Sequence, residues 1–130
     1  MENGIDFKIK ISLLNEQPFF GHGLAELLLL TEKNKSLRKA CEEMGMSYSK
    51  GWSIIHRAEK ITGFDFLYKK IGGTGGGGSR LTDKGRLFIQ AYYDFCNDIN
   101  NYSKTVFQKY FSEFTKKEED INEKNIWIFN

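Results

Sequence analysis

The first hydrophobic pattern in the chain has a period of two. The apolar positions are Ile5, Phe7, Ile9, Ile11 and Leu13, with polar residues at the positions between them. Because successive side chains of a β-strand point to opposite faces, this alternation predicts an N-terminal strand with one buried face. Residues 15–23 contain one proline and two glycines, and we predict a loop there whose Phe19 and Phe20 fill the core.

Three helical patterns follow. Residues 24–33 are dense in leucine, and a helix that is apolar on most sides is expected to be buried on most sides. A second helix is predicted from apolar residues at i, i+3, i+4 and i+7, namely Leu37, Ala40, Cys41 and Met44. Ser36 can cap this helix, and Gly45 can end it because glycine adopts a positive φ at little cost. Ser47 then caps a third helix that runs to about residue 62.

Two short helices joined at a glycine turn form a helix-turn-helix pattern. On the third helix we predict four buried side chains, Ile54, Ile55, Ala58 and Ile61. Trp52 is expected in the core as well, because of its large apolar area, with Gly51 allowing close approach of a neighbouring helix. The opposite face carries hydroxyls, cations and an imidazole.

That polar face predicts contacts to the DNA major groove. The candidate residues are Ser47, Tyr48, Ser49, Lys50, Ser53, His56, Arg57 and Lys60. Those in the first turns, from Tyr48 to Ser53, would meet base edges, and the last three would meet phosphates. The alternative is a solvated helix face with no ligand.

A glycine-rich segment separates the next two apolar runs. Residues 66–71 and 80–82 are strand-like, and residues 72–79 are almost all glycine, which predicts a two-stranded wing. Its candidate contacts to the DNA backbone are Lys69, Lys70, Gly75, Gly76 and Arg80. The segment matches GxGxxG formally, but the long apolar strand before it and the later acid of a dinucleotide site are missing. A disordered linker remains the alternative for the tip.

The longest pattern is a heptad seam. Thr82 caps a predicted helix in which Phe88, Tyr92, Phe95, Ile99, Tyr102 and Val106 are spaced by alternating steps of four and three residues. Because a small domain cannot bury the whole of such a helix, we predict that this seam forms a homodimer. The alternative is a break near residues 100–101 that folds the helix back on its own domain.

Charge is concentrated in the same region as the motifs. Residues 36–86 hold ten Lys+Arg and five Asp+Glu, a net charge of +5, whereas the rest of the chain carries −3. A local cationic patch is the electrostatic footprint expected of nucleic-acid binding. The segment 125–130, NIWIFN, is apolar and is expected to dock on another surface.

Catalytic and metal chemistry find little support in the sequence. Of the two histidines, His22 has no partner at metal-ligand spacing, and Cys41 and Cys96 lie on apolar helical faces. We therefore expect no enzyme activity, no metal and no cofactor. The chain has no signal-peptide pattern and no long apolar stretch, so a cytoplasmic protein without a membrane contact is expected.

The motif GMSYSKGW at residues 45–52, followed by GGTGGGGSRLTDKG at residues 72–85, resembles the N-terminal DNA-binding domain of molybdate-responsive, ModE-type transcriptional regulators. That family is distantly similar to LysR-type DNA-binding domains, and the match covers roughly residues 5–95. The resemblance implies an N-terminal strand, a recognition helix beginning at the Ser-Tyr pair, a glycine wing and a long helix that forms a dimer. The family's oxyanion-binding domains have no counterpart here, so no small-molecule effector is expected for this chain.

The predicted fold is mainly α (α+β), a winged helix-turn-helix with an N-terminal strand, a two-stranded wing and a long C-terminal dimerisation helix. We predict a DNA-binding domain at residues 1–81, the long helix at 82–114 and a charged tail with an apolar end at 115–130. The predicted function is a homodimeric, sequence-specific regulator that binds double-stranded DNA. The alternative is a winged-helix module that binds an acidic protein partner.

Overall fold

The structure is a computed structural model, and it describes residues 4–69 and 78–115. The elements in chain order are β1 (Leu13–Asn15), β2 (Gln17–Phe20), α1 (His22–Asn34), α2 (Leu37–Met44), α3 (Tyr48–Thr62) and α4 (Asp83–Phe111), followed by a 3₁₀ turn (Ser112–Phe114). The described part is thus mostly helical with one two-stranded antiparallel sheet, which confirms the predicted fold class. Two compact units can be separated, residues 11–93 and residues 1–10 with 94–130. The predicted domain boundaries stay predictions.

An N-terminal strand is present, but its predicted position at residues 5–13 is wrong. The strand begins at Leu13, and Ile5 and Ile9 are exposed. The loop predicted at residues 15–23 is also wrong, because Gln17–Phe20 forms β2 and pairs with β1. The turn between the strands is made at Glu16, which adopts a positive φ of 63°. A two-stranded sheet consists of edge strands, where a proline such as Pro18 is tolerated.

The helix-turn-helix is confirmed down to its caps. The Ser36 hydroxyl accepts a hydrogen bond from the Lys39 amide at 3.0 Å, and Ser47 accepts one from the Lys50 amide at 3.1 Å. Gly45 ends α2 with a φ of 73°. These local bonds satisfy backbone groups that a helix end leaves open, so they fix where α2 and α3 begin.

The helices α2 and α3 meet at Gly51. A Cβ built on Gly51 would collide with the Cys41 sulfur and lie 3.6 Å from Leu27, so the close approach predicted at this glycine is confirmed. Burial raises the pKa of the Cys41 thiol above its usual value, and the nearby Arg38 lowers it to a smaller extent. The thiol is therefore protonated at neutral pH and packs as a small apolar group.

An aromatic cluster joins the sheet to the start of α4. Phe20 is fully packed, with ring centroids 5.8 Å from Phe66, 4.9 Å from Phe88 and 5.2 Å from Tyr92. The prediction that Phe20 fills the core is confirmed, while Phe19 is only half-buried. The Tyr92 hydroxyl donates a hydrogen bond to the Ile11 carbonyl at 2.7 Å.

Two of the four side chains predicted to be buried on α3 are buried. Ile55 and Ala58 are enclosed, whereas Ile54 and Ile61 are half-buried. The buried arc of α3 is centred on Gly51, Ile55 and Ala58, and the other two isoleucines lie at its edge.

The long helix is confirmed, and the alternative of a break near residues 100–101 is wrong, since α4 runs from Asp83 to Phe111. Thr82 caps it as predicted, because its hydroxyl accepts a hydrogen bond from the Gly85 amide at 2.9 Å. The same hydroxyl donates to the Asp65 carbonyl at 2.6 Å. The start of α4 is also tied to α1, where Arg86 forms an ion pair with Glu32.

The second unit has its own aromatic contacts. Phe7 stacks on Phe107 with ring centroids 4.8 Å apart, and Phe107 stacks on Phe111 at 5.1 Å. Phe7 of the N-terminal pattern thus meets α4, whereas Leu13 of the same pattern pairs with β2. The segment NIWIFN lies outside the described residues.

Candidate nucleic-acid interface

The N-terminal half of α3 presents a polar, cationic surface. The residues Ser47, Tyr48, Ser49, Lys50 and Ser53 are all exposed, as are His56, Arg57 and Lys60 further along the helix. Within residues 4–69 and 78–115, no ion pair engages Lys50 or Lys60. Their ammonium groups therefore face solvent without a carboxylate to neutralise them.

Two of the predicted contact residues are held by neighbours. The Arg38 guanidinium of α2 lies 4.4 Å from the centre of the Tyr48 ring, a cation–π contact that links the two motif helices. Arg57 donates a hydrogen bond to the Pro18 carbonyl of β2 at 2.7 Å. Arg57 thus links α3 to the hairpin, a contact between distant segments that no local sequence pattern predicts.

Trp52 is not in the core, so that prediction is wrong. Its side chain is 45% exposed, and its ring stacks on the His56 ring with centroids 3.6 Å apart and an interplanar angle of 19°. The physical reason is helical phase, because at 100° per residue Trp52 lies about 90° from the arc that α3 buries. The small residues Gly51 and Ala58 occupy that arc instead.

His56 is fixed by two groups of its own helix. Its Nδ1 lies 2.9 Å from the Trp52 carbonyl oxygen, and its Nε2 lies 3.9 Å from Glu59 Oε1. A carbonyl oxygen can only accept, so Nδ1 carries the hydrogen.

Glu59 was not among the predicted site residues, yet it connects α3 to the base of the wing. Its Oε2 accepts hydrogen bonds from the backbone amides of Phe66 at 2.7 Å and Leu67 at 3.4 Å. Because these partners follow α3 by a loop, the sequence pattern carries no signal for this contact. Glu59 places the outgoing segment of the predicted wing against α3.

The base of the wing is an antiparallel bridge between Leu67 and Leu81. The Tyr68 amide donates to the Arg80 carbonyl at 2.9 Å, and the Arg80 guanidinium lies 5.6 Å from the centre of the Tyr68 ring. Lys69 is exposed beside this bridge. The predicted contacts Lys70, Gly75 and Gly76 lie outside the described residues.

The returning segment of the wing is anchored at the turn between α1 and α2. The Ser79 amide donates a hydrogen bond to the Lys35 carbonyl at 3.0 Å. A Cβ built on Gly78 would lie 2.9 Å from that same oxygen, closer than packed atoms come. A glycine at this position therefore allows the wing segment to approach the turn.

A groove of about 570 Å³ lies between the start of α2, the exposed side of α3 and the base of the wing. Its lining includes the cations Lys35, Arg38 and Lys69 and the ring-bearing residues Tyr48, Trp52, His56 and Tyr68. Glu59 is the one carboxylate among the described residues that line it, and the Phe66 amide already uses that group. The groove is therefore positive and aromatic, and residues of α2, α3 and the wing base line it.

The predicted dimer seam divides into two parts. Phe88 and Tyr92 pack on Phe20 in the core of residues 11–93, and the assignment of these two residues to a dimer contact stays a prediction. In the other unit, Phe95 is 48%, Ile99 36% and Tyr102 71% exposed, while Val106 is half-buried. The first heptad of the seam thus serves the fold, because a small core uses the nearest apolar turns of α4.

The described residues, 4–69 and 78–115, contain neither a candidate metal site nor a helix that could span a membrane. No group of three or more His, Cys, Asp or Glu side chains is placed to hold a metal ion there. In the same residues, no helix combines the length and the apolar character needed to cross a membrane. His22, which begins α1, has its ring edge-on to Tyr93 with centroids 6.1 Å apart.

Comparison with known proteins confirms the resemblance found in the motifs. The chain is 32% identical over 57 residues to the DNA-binding transcriptional dual regulator ModE of Escherichia coli K12, which covers 44% of this chain and 22% of that protein. It is 30% identical over 66 residues to the molybdenum transport protein ModE of Azotobacter vinelandii, covering 51% of this chain and 24% of that protein. No family model matches the chain.

Two solved structures are similar at a TM-score of 0.49. They are a CbnR_DBD–DNA complex, 12% identical with 65% of this chain and 91% of that chain covered, and a BenM_DBD/catB site 1 DNA complex, 14% identical with 66% and 87% covered. The chain spans about a quarter of the length of the curated relatives that it matches. Over about half of its own length, the chain is similar to the ModE regulators.

Proposed function

We propose that this chain is a sequence-specific DNA-binding regulator of transcription that acts as a homodimer on double-stranded DNA. The observation that carries the proposal is the pairing of two features on one side of residues 11–93. The exposed polar face of α3 adjoins a cationic groove, which Tyr48, Trp52 and His56 of the same helix line together with residues of the wing base. A duplex offers a groove edge and a phosphate backbone side by side, which matches this pair of features.

The roles within this surface follow from position and chemistry. Ser49, Lys50 and Ser53 lie on the first turns of α3, where a recognition helix meets base edges. Lys60 on α3, with Lys69 and Arg80 at the wing base, supplies cations for phosphates, which fix position and carry no sequence information. The ModE relative of Escherichia coli is named a DNA-binding transcriptional regulator, which supports the same reading.

The homodimer is proposed from the second unit. Phe95, Ile99 and Tyr102 form an exposed apolar stripe at i, i+4 and i+7 on α4, and such a stripe is stabilised by pairing with an identical helix. A two-fold dimer would present two copies of α3, which fits a site with two half-sites.

The test measures binding of the chain to sheared genomic DNA from its source by fluorescence anisotropy across a salt series. We expect log affinity to fall linearly with log salt concentration, because cations on the protein displace counterions from phosphates. Lys50→Ala should weaken binding to selected duplexes by about 1–3 kcal/mol and relax their specificity.

The matched control is Lys33→Ala, which removes an exposed cation from α1, outside the proposed DNA-binding residues. It should leave the affinity nearly unchanged. Wild-type protein that retains no duplex even at low salt would falsify the proposed function.

A further inference from the structure

Trp52 has an unusual position for so large an apolar side chain. It lies on the second turn of α3, follows Lys50 by two residues and precedes Ser53, and is 45% exposed. Exposing an indole to water is unfavourable, so an exposed tryptophan on a polar helix face marks a contact that the isolated domain does not make. The residue forms no part of the core, and its place in the proposed DNA surface is unassigned.

The indole stacks on another ring of its own helix. The His56 ring covers one of its faces at 3.6 Å, and His56 is itself anchored through Nδ1 to the Trp52 carbonyl at 2.9 Å. A side chain that inserts between base pairs as a wedge must project from the protein surface. The stacked pair therefore fits a lateral contact and does not fit intercalation.

The Trp52–His56 pair also forms a ridge. Both residues line the cationic groove on one side and a second depression, bounded by Lys60 and Phe64, on the other. Each depression has a cation in its lining, Lys69 in the first and Lys60 in the second, and Glu59 lines both, with Asp65 in the second. Phosphates on either side of a DNA groove would pair with those cations and bring the ridge toward the bases.

The bases of the major groove offer hydrogen-bond donors and acceptors and one apolar group, the C5 methyl of thymine. Ser49, Lys50 and Ser53 can serve the polar atoms, and Trp52 is the exposed apolar side chain among them. We propose that Trp52 is a specificity-determining residue that reads a thymine methyl group, and that His56 is the positioning residue that holds the indole. This inference rests on the proposed DNA binding.

The experiment removes only the C5 methyl group of thymine from the DNA. A duplex is first selected from a random library with wild-type protein, and each of its thymines is then replaced in turn by deoxyuridine. We expect about fourfold weaker binding at one thymine of each half-site, since burying one such group contributes about 0.8 kcal/mol. The Trp52→Ala variant should bind duplexes with thymine and with deoxyuridine at that position with equal affinity.

The controls separate this contact from other effects. Leu29→Ala removes an exposed apolar side chain from α1 and should keep the full difference between thymine and deoxyuridine. His56→Ala should reduce the difference without changing the salt dependence, and His56→Phe, which restores a stacking ring, should recover it. Thermal unfolding of Trp52→Ala establishes that the variant is folded.

Two results would overturn the inference while leaving DNA binding in place. One is a selected duplex in which no deoxyuridine substitution changes the affinity. The other is Trp52→Ala that binds all sequences more weakly but keeps the wild-type penalty for deoxyuridine, as a contact to phosphate would. Failure of the wild-type protein to retain any duplex removes the proposed function and this inference with it.

Discussion

The Glu59 carboxylate on α3 accepts a hydrogen bond from the Phe66 amide at 2.7 Å. Phe66 is fully buried, so its amide has no access to water and depends on this acceptor. The same carboxylate also receives the Leu67 amide at 3.4 Å. One side chain of the proposed recognition helix thus sets the path of the chain into the wing, and the spacing between the two depends on it.

Glu59→Ala should therefore destabilise the fold and weaken DNA binding together. Loss of the acceptor leaves a buried amide unsatisfied, which costs about 1–3 kcal/mol of unfolding free energy. Glu59→Gln keeps an oxygen acceptor and should lower the free energy of unfolding by less than Glu59→Ala does. Denaturant unfolding and anisotropy with one selected duplex measure the two effects.

The control for this prediction is Glu26→Ala, which removes an exposed carboxylate from α1. It changes the net charge by the same amount and should leave stability nearly unchanged. Equal stability of Glu59→Ala and Glu26→Ala would mean that the Phe66 amide finds another acceptor.

Gly51→Ala should overpack the contact between α2 and α3. The added Cβ collides with the Cys41 sulfur, and overpacking of a close contact costs about 1–3 kcal/mol. Cys41→Ala in the same chain removes the sulfur, so the double variant should be more stable than the sum of the single effects predicts. Thermal or denaturant unfolding of the four proteins gives the coupling energy.

Gly23→Ala provides the matched control, because a Cβ at that position of α1 meets no atom within 4 Å. It should be neutral or stabilising, since alanine favours the helix by up to about 1 kcal/mol over glycine. Strict additivity of Gly51→Ala and Cys41→Ala would contradict the collision.

Alanine substitutions of Lys50 and Arg57 should differ in their effect on stability, although both residues are exposed cations of α3. Lys50→Ala should leave stability unchanged, because no described residue pairs with its ammonium group. Arg57→Ala should lower the unfolding free energy by about 1 kcal/mol through loss of its hydrogen bond to the Pro18 carbonyl. It should also reduce the salt slope of DNA binding by about one.

Arg57→Lys distinguishes the two roles of that residue. The lysine keeps the charge and should restore the salt slope, but it lacks the planar donor geometry of the guanidinium and should not restore full stability. If Arg57→Ala unfolds like the wild type, the Pro18 contact contributes nothing in solution.

The sequence predicted the local features of the fold, such as helix caps, but it did not predict contacts between distant segments. Ser36, Gly45 and Ser47 act within four residues of their own positions, so their capping roles follow from residue type and spacing. The alternation in residues 5–13 predicted a strand. An alternating pattern does not show which segment its apolar side chains contact, and Phe7 packs on Phe107 of α4.

The error at Trp52 and the packing found at the start of the seam have a common cause. Apolar area alone placed Trp52 in the core, although its helical phase relative to Gly51 and Ile55 was available in the sequence. Phe88 and Tyr92 fit a heptad, yet both pack on Phe20 in the core of residues 11–93. A heptad identifies an apolar face and leaves open which surface covers it.

The dimer is tested on the exposed part of the seam. Ile99→Glu and Tyr102→Glu together place charge on an exposed stripe, so each protomer should fold as before. In a paired seam the carboxylates would lose water and face each other, and we expect the dissociation constant to rise on the order of 100-fold, about 3 kcal/mol. Sedimentation at tens of micromolar should show a wild-type dimer and a variant monomer. Asn97→Glu, a charge on the opposite side of the same helix, should remain dimeric, and a wild-type chain that is strictly monomeric at those concentrations would show that the stripe pairs with something other than a second copy.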